Sequence, residues 1–440
     1  MPQPKAPPGC RNRNDSSVAP TVTLAARRTR LIQRHHLDGS APDATSAIHS
    51  VLGMHSSDPT TPHLGVLARM AASQPAVISE RGFDPLDEAL HFSRDLWRLH
   101  AMRRTLFIIT TDDGPTVHGA ASMNIAAQER RRLHRWLADS QDPRIPADIV
   151  ADVSRRTIEK LATDGPMSSQ QLSQSVPELA QRITVGSGKW KAEQSLASRL
   201  LLVMALEGGI TRTEPLGSWR SSQYRWASID HWFSDPPTRA SPSRTAEDND
   251  DVAAAQGRAR LVARYLESCG PATKADIAWW TGWSATKVTN ALTAIEAAAV
   301  TLADTGDIAF VTADDDIIAG ADDDHVGNSN SGTAVTFLPS LDSTPMSYRD
   351  RSWYLGEHQA ALFDRNGNIG PTIWVNGRII GGWAQSDDGV VVTHLLDKVD
   401  ATAQRLIAQR ADELTSGLNG GVVVPRFRTP LERHLAAGKQ

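Results

Sequence analysis

The order of hydrophobic and polar residues repeats itself in the middle of the chain. Residues 161–168 (LATDGPMS) match residues 266–273 (LESCGPAT). In both copies a helical apolar pattern ends at Gly-Pro, and a Ser or Thr follows that can begin the next helix. Thr273 has Asp276 three positions on, and Ser168 has Gln171, which is the spacing of a capping box. The pattern therefore predicts two copies of one helical unit.

Each copy continues into a longer helix and a β-hairpin. The later copy predicts helices over residues 257–267, 273–280 and 284–299, with a hairpin of residues 300–302 and 308–312. The earlier copy predicts a long helix over 190–206 and a hairpin that pairs 210–213 with 224–227. Helix, helix–turn–helix and hairpin in this order is typical of a winged helix. We therefore expect two winged helices in tandem.

The two ends of the chain have different patterns. Helical spacing covers residues 24–32 and a β-like run covers 106–111, which leaves open whether the first third holds another winged helix. Short apolar runs at 335–338, 372–375, 378–382 and 390–395 predict strands, and Asn376-Gly377 is typical of a type I′ hairpin turn. These strands fit a small β-barrel, or an open sheet closed by a helix over 401–414.

The predicted fold class is α+β, built from tandem winged helices and a C-terminal β-barrel. The expected organisation is a disordered tail (1–22), an N-terminal winged-helix-like domain (23–145), a second winged helix (146–233), a linker (234–256), a third winged helix (257–313), an acidic flexible loop (314–333) and the barrel with its closing helix (334–440).

Composition excludes several classes of protein. No apolar run is long enough for a transmembrane helix, and the N-terminus lacks the apolar core of a signal peptide, so we expect a cytoplasmic protein. Two cysteines, Cys10 and Cys269, cannot form a disulfide framework. The net charge is −4, but acidic residues cluster within 247–251 and 304–324, so the rest of the chain is basic. That distribution suits a phosphate-binding surface, while the acidic runs are interpreted as solvated loops.

Six segments along the chain carry a family resemblance. They are AARRTRLIQ (25–33), LGMHSSDP (52–59) followed by Arg69, MRRTLFII (102–109), SRLLLVMALEGGITRTEPLGSWRSSQYRWA (198–227), TFLPSLDS (336–343) and WVNGRIIGGW (374–383). In this order and spacing the chain resembles the YcaQ/AlkZ-type winged-helix DNA glycosylases from about residue 24 to 435. The resemblance implies three winged helices and a β-barrel around a DNA-binding channel. It also implies excision of N7-alkylated bases, with unhooking of interstrand crosslinks.

The chain departs from the family in the active-site motif. The family motif is Gln-x-Gln or Gln-x-Asp, and a His also occurs at its first position; here the aligned residues are His55-Ser56-Ser57, followed by Asp58 and Pro59. The resemblance places catalysis at His55 and Ser57, with Asp58 and Pro59 supporting the motif. A neutral imidazole with a pKa near the working pH could accept a proton from the attacking water. Alternatively, His55 is structural and Ser57 serves a turn or helix cap.

Arginines near the matched segments are candidate DNA contacts, because guanidinium groups suit phosphates. They are Arg27, Arg28, Arg69, Arg103, Arg104, Arg220 and Arg225. Each could instead form a surface ion pair. The helix over 284–299 offers Lys287 as its one cation, a poor set for reading bases, so sequence-specific binding is not expected. The tryptophans at 279, 280 and 283 are interpreted as core.

No cofactor or metal is expected. Residues 186–189 (GSGK) resemble the end of a P-loop, but Ile183 and Trp190 break the pattern. The histidines lack partners at metal-ligand spacing, and the aspartate runs lack the Gly and Glu of a calcium loop. Two hypotheses follow: a monofunctional glycosylase acting as a monomer on double-stranded DNA with alkylated bases, or a catalytically inactive winged-helix protein that senses lesions or regulates transcription.

Overall fold

Short helices alternate with small sheets along the whole chain, as the mixed patterning predicts. The computed structural model describes residues 19–71, 77–140, 148–185, 188, 192–234, 251–318 and 332–438, and the structural statements below concern these residues. The α-helices are Leu24–Arg34, Ala44–Ser50, Thr60–Met70, Asp84–Asp87, Gly114–Val117, Met123–Ser140, Ile149–Asp164, Ser169–Ser175, Leu196–Leu206, Ile229–Ser234, Asp251–Cys269, Lys274–Thr281, Ala285–Ala294, Ser352–Leu355, Gln359–Leu362, Ala401–Gly417 and Pro430–Ala436.

Three sheets and two separate hairpins hold the strands. One antiparallel sheet has the order Met54–His55, Leu106–Thr110, Leu96–His100. A second consists of Thr21–Val22, Ala298–Leu302, Ile308–Val311 and Ala272–Thr273, in that order, with the first pair parallel. A third is antiparallel in the order Val335–Leu338, Thr372–Val375, Arg378–Gln385, Val391–Leu395. The hairpins pair Arg182–Val185 with Ala192–Ser195 and Ile210–Pro215 with Tyr224–Ser228.

The capping signals of the sequence repeat are confirmed. Ser168 and Thr273 each cap a helix, and each forms the complete capping box with Gln171 or Asp276. Gly282 ends the second of these helices in the left-handed conformation, with φ 73°, which glycine adopts without steric cost. In the later copy the helices and the hairpin follow in the predicted order. The earlier copy has an additional hairpin, Arg182–Val185 with Ala192–Ser195, between its helices Ser169–Ser175 and Leu196–Leu206. That these elements make winged helices stays our interpretation.

The long helix of each copy is shorter than predicted. In the later copy it ends at Ala294, because Glu296 takes the left-handed φ of 51° and Ala298–Leu302 pairs with the next strand. In the earlier copy the helix begins at Leu196, where the Ser195 side chain caps it. The alanine- and leucine-rich runs carry no strong signal for these boundaries. Hydrogen bonds to a neighbouring strand decide them.

The C-terminal strands form an open sheet, so the predicted barrel is wrong for the part of the chain that is described. Its edge strands, Val335–Leu338 and Val391–Leu395, do not pair with each other. One face is covered by the helix Ala401–Gly417, whose Ile407 and Leu414 pack in the same apolar cluster as Phe337 and Trp383. The Asn376-Gly377 turn has φ of 48° and 74°, which agrees with the predicted type I′ turn.

Residues of the predicted tail and of the predicted linker form regular structure. Thr21 and Val22, expected in a disordered tail, add a strand beside Thr301 and Leu302. Residues 251–256, expected in a linker, begin the helix Asp251–Cys269. The rest of the tail and linker, at 1–18 and 235–250, and residues 319–331 of the acidic loop, lie outside the described residues, as do Cys10 and most of the P-loop-like segment 186–190.

Asp315, in the acidic stretch 304–324, is not solvated as predicted. Asp315 is 1% exposed and accepts hydrogen bonds from Arg30 and Arg34 of the first helix, at 2.6 and 2.8 Å. Asp316, 60% exposed, also pairs with Arg30. Arg30 and Arg34, on one face of the first helix, therefore stabilise Asp315 in a buried position. Charge alone could not show this, because the partner lies 285 positions away.

Apolar packing connects segments that are far apart in sequence. The largest cluster includes Leu31, Trp97, Leu261, Trp374 and Leu435. A separate cluster of residues 133–226 also takes Leu133 and Leu137 from the helix Met123–Ser140. The first helix and the last helix thus share one core with the helix Asp251–Cys269. Among the described helices, none combines the length and apolar character that crossing a bilayer needs.

Candidate active site

His55 lies at the end of a two-residue strand, where the sequence changes from the apolar run 51–54 to serines. Its backbone pairs with Phe107 of the central strand Leu106–Thr110. The imidazole is 6% exposed and its ring centroid lies 4.7 Å from that of Phe107. The next residue, Ser56, donates its backbone N–H to the Leu106 carbonyl at 2.8 Å. Two of the six predicted family segments therefore meet at His55.

The His55 imidazole is held neutral. Its pKa is lowered from 6.5 to about 3, first by burial and then by the nearby Arg103, while Asp342 acts in the opposite direction. The Nδ1 atom is buried and has no hydrogen-bond partner among the described residues. The predicted pKa near the working pH is therefore wrong, because desolvation dominates. A neutral ring can accept a hydrogen bond from water, although it is a weak base.

Ser57 and Asp58 differ in how they are held. Ser57 is half-buried and its carbonyl accepts from Arg426 at 3.1 Å, while its hydroxyl makes no hydrogen bond to a described residue. The Asp58 carboxylate is 1% exposed. It accepts from the backbone N–H and hydroxyl of Thr60, at 3.0 and 2.7 Å, and from the Arg426 N–H at 2.8 Å. Asp58 thus begins the helix Thr60–Met70, after Pro59, and ties the motif to the C-terminal segment.

Arg69 and Asp342 form a buried ion pair beneath the motif. Both side chains are 0% exposed, and the guanidinium binds both carboxylate oxygens at 2.8 Å. The same guanidinium donates to Thr344 Oγ1 and to the Gly65 carbonyl, each at 2.8 Å. A side chain so enclosed has no surface to offer to DNA. Its position instead fixes the segment 342–344 against the helix that follows the motif.

Arg27 and Arg28, also predicted to contact DNA, face the protein. Arg27 is 3% exposed, and its guanidinium lies 4.0 Å from the Trp353 ring centroid. None of its three side-chain nitrogens has a hydrogen-bond partner among the described residues. Arg28 is half-buried and donates through Nε to the Trp353 carbonyl at 3.0 Å. Both arginines therefore hold the first helix against the segment around Trp353.

The other four predicted arginines keep some exposed surface. Arg103 has φ 54° and lies over Trp279, 4.2 Å from the ring centroid. Arg104 pairs with Glu129 at 3.0 Å, and Arg220 donates to the Val422 carbonyl at 2.8 Å. Arg225 is half-buried on the strand Tyr224–Ser228. Of this group, Arg103 is near enough to His55 to affect its pKa.

Three further arginines surround the motif and were not selected from the sequence. Arg98 donates to Ser56 Oγ at 3.4 Å and to the Thr213 carbonyl at 2.7 Å. Its guanidinium and that of Arg212 lie 4.6 and 5.8 Å from the centroid of Tyr224. The third, Arg426, is bound to Ser57 as described. Arg212 lies in one of the six matched segments, so its place there was a usable signal. Arg426 stands in a segment without a motif.

Among the described residues no group of three or more His, Cys, Asp or Glu side chains is arranged to hold a metal ion. The histidines near the motif are buried singly. His63 accepts from the Phe83 N–H at 3.0 Å, and His35 lies between Thr344 and the Ser268 carbonyl, at 3.0 and 3.1 Å. The chemistry of the site therefore has to be derived from the imidazole, the hydroxyl and the guanidinium groups.

Comparison with known proteins gives two matches. A family model described as DNA glycosylase AlkZ-like matches residues 48–417. The solved structure of Streptomyces sahachiroi DNA glycosylase AlkZ matches with a TM-score of 0.61 and 16% sequence identity, over 90% of this chain and 97% of that chain. No curated protein matches the sequence. At this identity the structural likeness shows a common fold.

The family model thus defines the class of protein as a DNA glycosylase. The family model covers most of the chain, including the motif at 55–58 and the segment at 342–344. The chain belongs to the AlkZ-like DNA glycosylase family.

Proposed function

We propose that the protein is a monofunctional glycosylase that hydrolyses the N-glycosidic bond of N7-alkylated purines in double-stranded DNA. The observation that carries the proposal is the neutral His55 imidazole, which stands at the first position of the family motif without a hydrogen-bond partner among the described residues. In this proposal the protein acts as a monomer in the cytoplasm, and unhooking of interstrand crosslinks is the same reaction on a linked base. Its winged helices bind the duplex.

The chemistry requires little acid catalysis. Alkylation at N7 gives the purine a positive charge, so the electron pair of the C1′–N9 bond leaves with the base and neutralises it. The sugar becomes an oxocarbenium-like cation, the oxygen of a water molecule attacks C1′, and the proton that this water loses passes to the solvent. His55 accepts a hydrogen bond from that water and orients it, which is the role of a positioned group rather than of a strong base. A protonated imidazole would repel the sugar cation, so the low pKa of His55 favours the reaction.

Ser57 has a smaller share in the proposal. Its hydroxyl is free of described partners and can bind the same water, but it is shorter than the Gln or Asp side chain that the family places there. We expect Ser57→Ala to lower the rate of base excision less than tenfold, since one neutral hydrogen bond contributes about 1 kcal/mol. Asp58 and Pro59 support the motif by beginning the next helix.

The test is a single-turnover reaction on a duplex that contains one N7-methylguanine, with alkaline cleavage of the abasic site as readout. His55→Ala should lose about 10²-fold or more in rate, the usual scale for a positioned acid–base group. His55→Gln should keep more activity, because its amide oxygen can also accept from water. His434→Ala, which changes an exposed histidine on the helix Pro430–Ala436, is the matched control.

The outcome separates the two hypotheses drawn from the sequence. Abasic sites from the wild type, lost in His55→Ala but not in the control, would establish the enzyme and its key residue. Binding of the damaged duplex without abasic sites would support the alternative, a catalytically inactive DNA-binding protein that acts as a lesion sensor or regulator. Equal rates for wild type and His55→Ala would overturn the role given to His55.

A further inference from the structure

Arg98, Arg212 and Arg426 form a cluster, here called the arginine cluster, beside the serines of the motif. Arg98 contacts Ser56 and Arg426 contacts Ser57, through donors 3.4 and 3.1 Å from the acceptor oxygens. Arg212 completes the group on the strand Ile210–Pro215, with its guanidinium 5.0 Å from the Trp226 centroid. The three side chains come from three different sheets or segments. Their convergence is therefore a product of the tertiary fold.

The arginine cluster forms no direct ion pair within the described part of the chain, although Glu214 and Asp87 are near enough to Arg98 to oppose the fall in its pKa. No Asp or Glu oxygen lies within ion-pair distance of any of the three guanidinium groups in the described part of the chain. The acceptors of Arg98 and Arg426 are a hydroxyl and backbone carbonyls. Burial lowers the pKa of Arg212 to about 10; Tyr224 opposes this, and Arg98 and Arg426 lower the pKa further. Mutual repulsion of this kind is unfavourable unless an anion binds.

Four carboxylates lie around the arginine cluster, and none forms a direct ion pair with it. Asp87 pairs with Arg81 at 3.6 Å, and Glu214, whose Oε2 is buried without a described hydrogen-bond partner, acts on Arg98 from beyond ion-pair distance. Asp58 accepts from Thr60 and from the backbone of Arg426, and Asp342 is paired with Arg69. The excess positive charge also opposes the oxocarbenium-like sugar that the proposed reaction forms next to Ser57. A ligand that supplies negative charge next to the arginine cluster would stabilise both the folded protein and the transition state of the reaction.

We propose that Arg212 and Arg426 of the arginine cluster bind one backbone phosphate of the DNA, next to the nucleotide whose base is removed, and that this phosphate completes the electrostatics of the active site. Arg98, which is 7% exposed, supports the cluster from the protein side through Ser56 and Thr213. A guanidinium group can donate two parallel hydrogen bonds to the oxygens of one phosphate. The rings of Tyr224 and Trp226 lie against Arg98 and Arg212 and hold these two guanidinium groups in place. Arg426 also holds the Ser57 carbonyl, so phosphate binding is coupled to the position of the motif. The inference rests on the proposed function for the identity of the neighbouring nucleotide.

Binding separates this inference from the proposed chemistry. The probe is a duplex with one tetrahydrofuran abasic analogue, which cannot react, measured by fluorescence anisotropy at several salt concentrations. Arg212→Met should weaken binding and reduce the slope of log K against log[salt] by about one, as expected for the loss of one phosphate contact. Arg155→Met is the matched control, because Arg155 is exposed and already paired with Asp152 and Glu159. It should leave affinity and slope unchanged.

A neutral linkage locates the phosphate. A methylphosphonate placed in turn at each linkage around the analogue should weaken wild-type binding most at one position, and at that position Arg212→Met should cause no further loss. The exposed Arg426, changed to Gln, gives a second test if Arg212→Met unfolds. An unchanged salt slope in both variants, or equal effects at every linkage, would overturn the proposal.

The reaction provides the second readout. On the N7-methylguanine duplex, the same single methylphosphonate should slow base release under saturating enzyme, because the phosphate offsets the arginine charge in the transition state. If the methylphosphonate weakens binding as expected but does not slow base release, the electrostatic part of the proposal is overturned. If the enzyme proves inactive on this lesion, the binding results still decide whether the arginine cluster is a phosphate site.

Discussion

The carboxylate of Asp58 accepts a hydrogen bond from the backbone N–H of Arg426, 2.8 Å away and 368 positions later in the chain. The same carboxylate begins the helix that follows the active-site motif. One buried side chain therefore sets both the direction of that helix and the position of the C-terminal segment over the site. An Asp before a helix is a local sequence signal, but here the same side chain also binds a residue far away in the sequence.

Asp58→Ala should destabilise the protein more than the loss of an ordinary helix cap, which costs about 1 kcal/mol. The additional loss arises because the Arg426 N–H is left without its acceptor. Asp43→Ala is a matched control, since Asp43 caps the helix Ala44–Ser50 through a single bond to the Ser46 N–H at 2.6 Å. Urea denaturation measures both variants. Equal destabilisation would show that the contact with Arg426 contributes nothing.

Arg69→Met should destabilise the fold by roughly 3–5 kcal/mol, because it leaves the Asp342 carboxylate buried without a counter-charge. Arg410→Met, which removes an exposed pair with Glu413, should cost less than about 1 kcal/mol. The comparison is made by chemical denaturation. In folded Arg69→Met the salt dependence of DNA binding should match the wild type, whereas a reduced slope would mean that Arg69 does reach DNA.

Arg27→Met should leave the free energy of unfolding unchanged or raise it. The guanidinium is buried over Trp353 and makes no described hydrogen bond, so the folded state bears its desolvation cost. Methionine keeps much of the volume and the contact with the ring. A thermal melt at several ionic strengths checks the result. A loss of several kcal/mol would reveal a partner that compensates the charge.

Stability should fall as the pH drops below 6.5. Burial lowers the pKa of His35, His63 and His100 to about 3, and that of His91 to about 2. Between these values and 6.5 the unfolded chain binds protons that the folded protein does not, and each such histidine steepens the loss by up to about 1.4 kcal/mol per pH unit. Above pH 6.5 the contribution is complete. Urea midpoints at pH 7.5, 6.5, 5.5 and 4.5 measure it.

The low pKa of His55 also predicts how the rate of base release depends on pH. Since His55 stays neutral down to about pH 3, the rate of base release should show no step near pH 6.5 while the protein remains folded. Single-turnover rates from pH 5 to 8 check this. A rate that falls with a midpoint near 6.5 would mean that the imidazole is solvated and basic in the complex with DNA.

Local signals predicted much of the fold. The capping boxes at Ser168 and Thr273 and the turn at Asn376-Gly377 depend on neighbours three or fewer positions away, and all three are confirmed. The boundaries at Leu196 and Ala294, the open sheet and the burial of Asp315 depend on strands and cations that lie far off in sequence. No local pattern contains that information.

The site shows the same division. The resemblance selected three separate segments that contain His55, Phe107 and Asp342, and the structure brings those segments together. Residue type alone could not distinguish a buried arginine such as Arg69 from one facing a ligand. Arg98 and Arg426 were missed for the opposite reason, because nothing in their neighbouring sequence marks them.

The buried pair between Arg30 and Asp315 has a consequence for synthesis. When the first helix leaves the ribosome, its two inward cations have no acceptor, and Asp315 emerges only after 285 further residues have been added. His35 likewise waits for Ser268 and Thr344. Until then the first helix cannot be buried without a large desolvation cost. The burial of the first helix is therefore completed only late in translation.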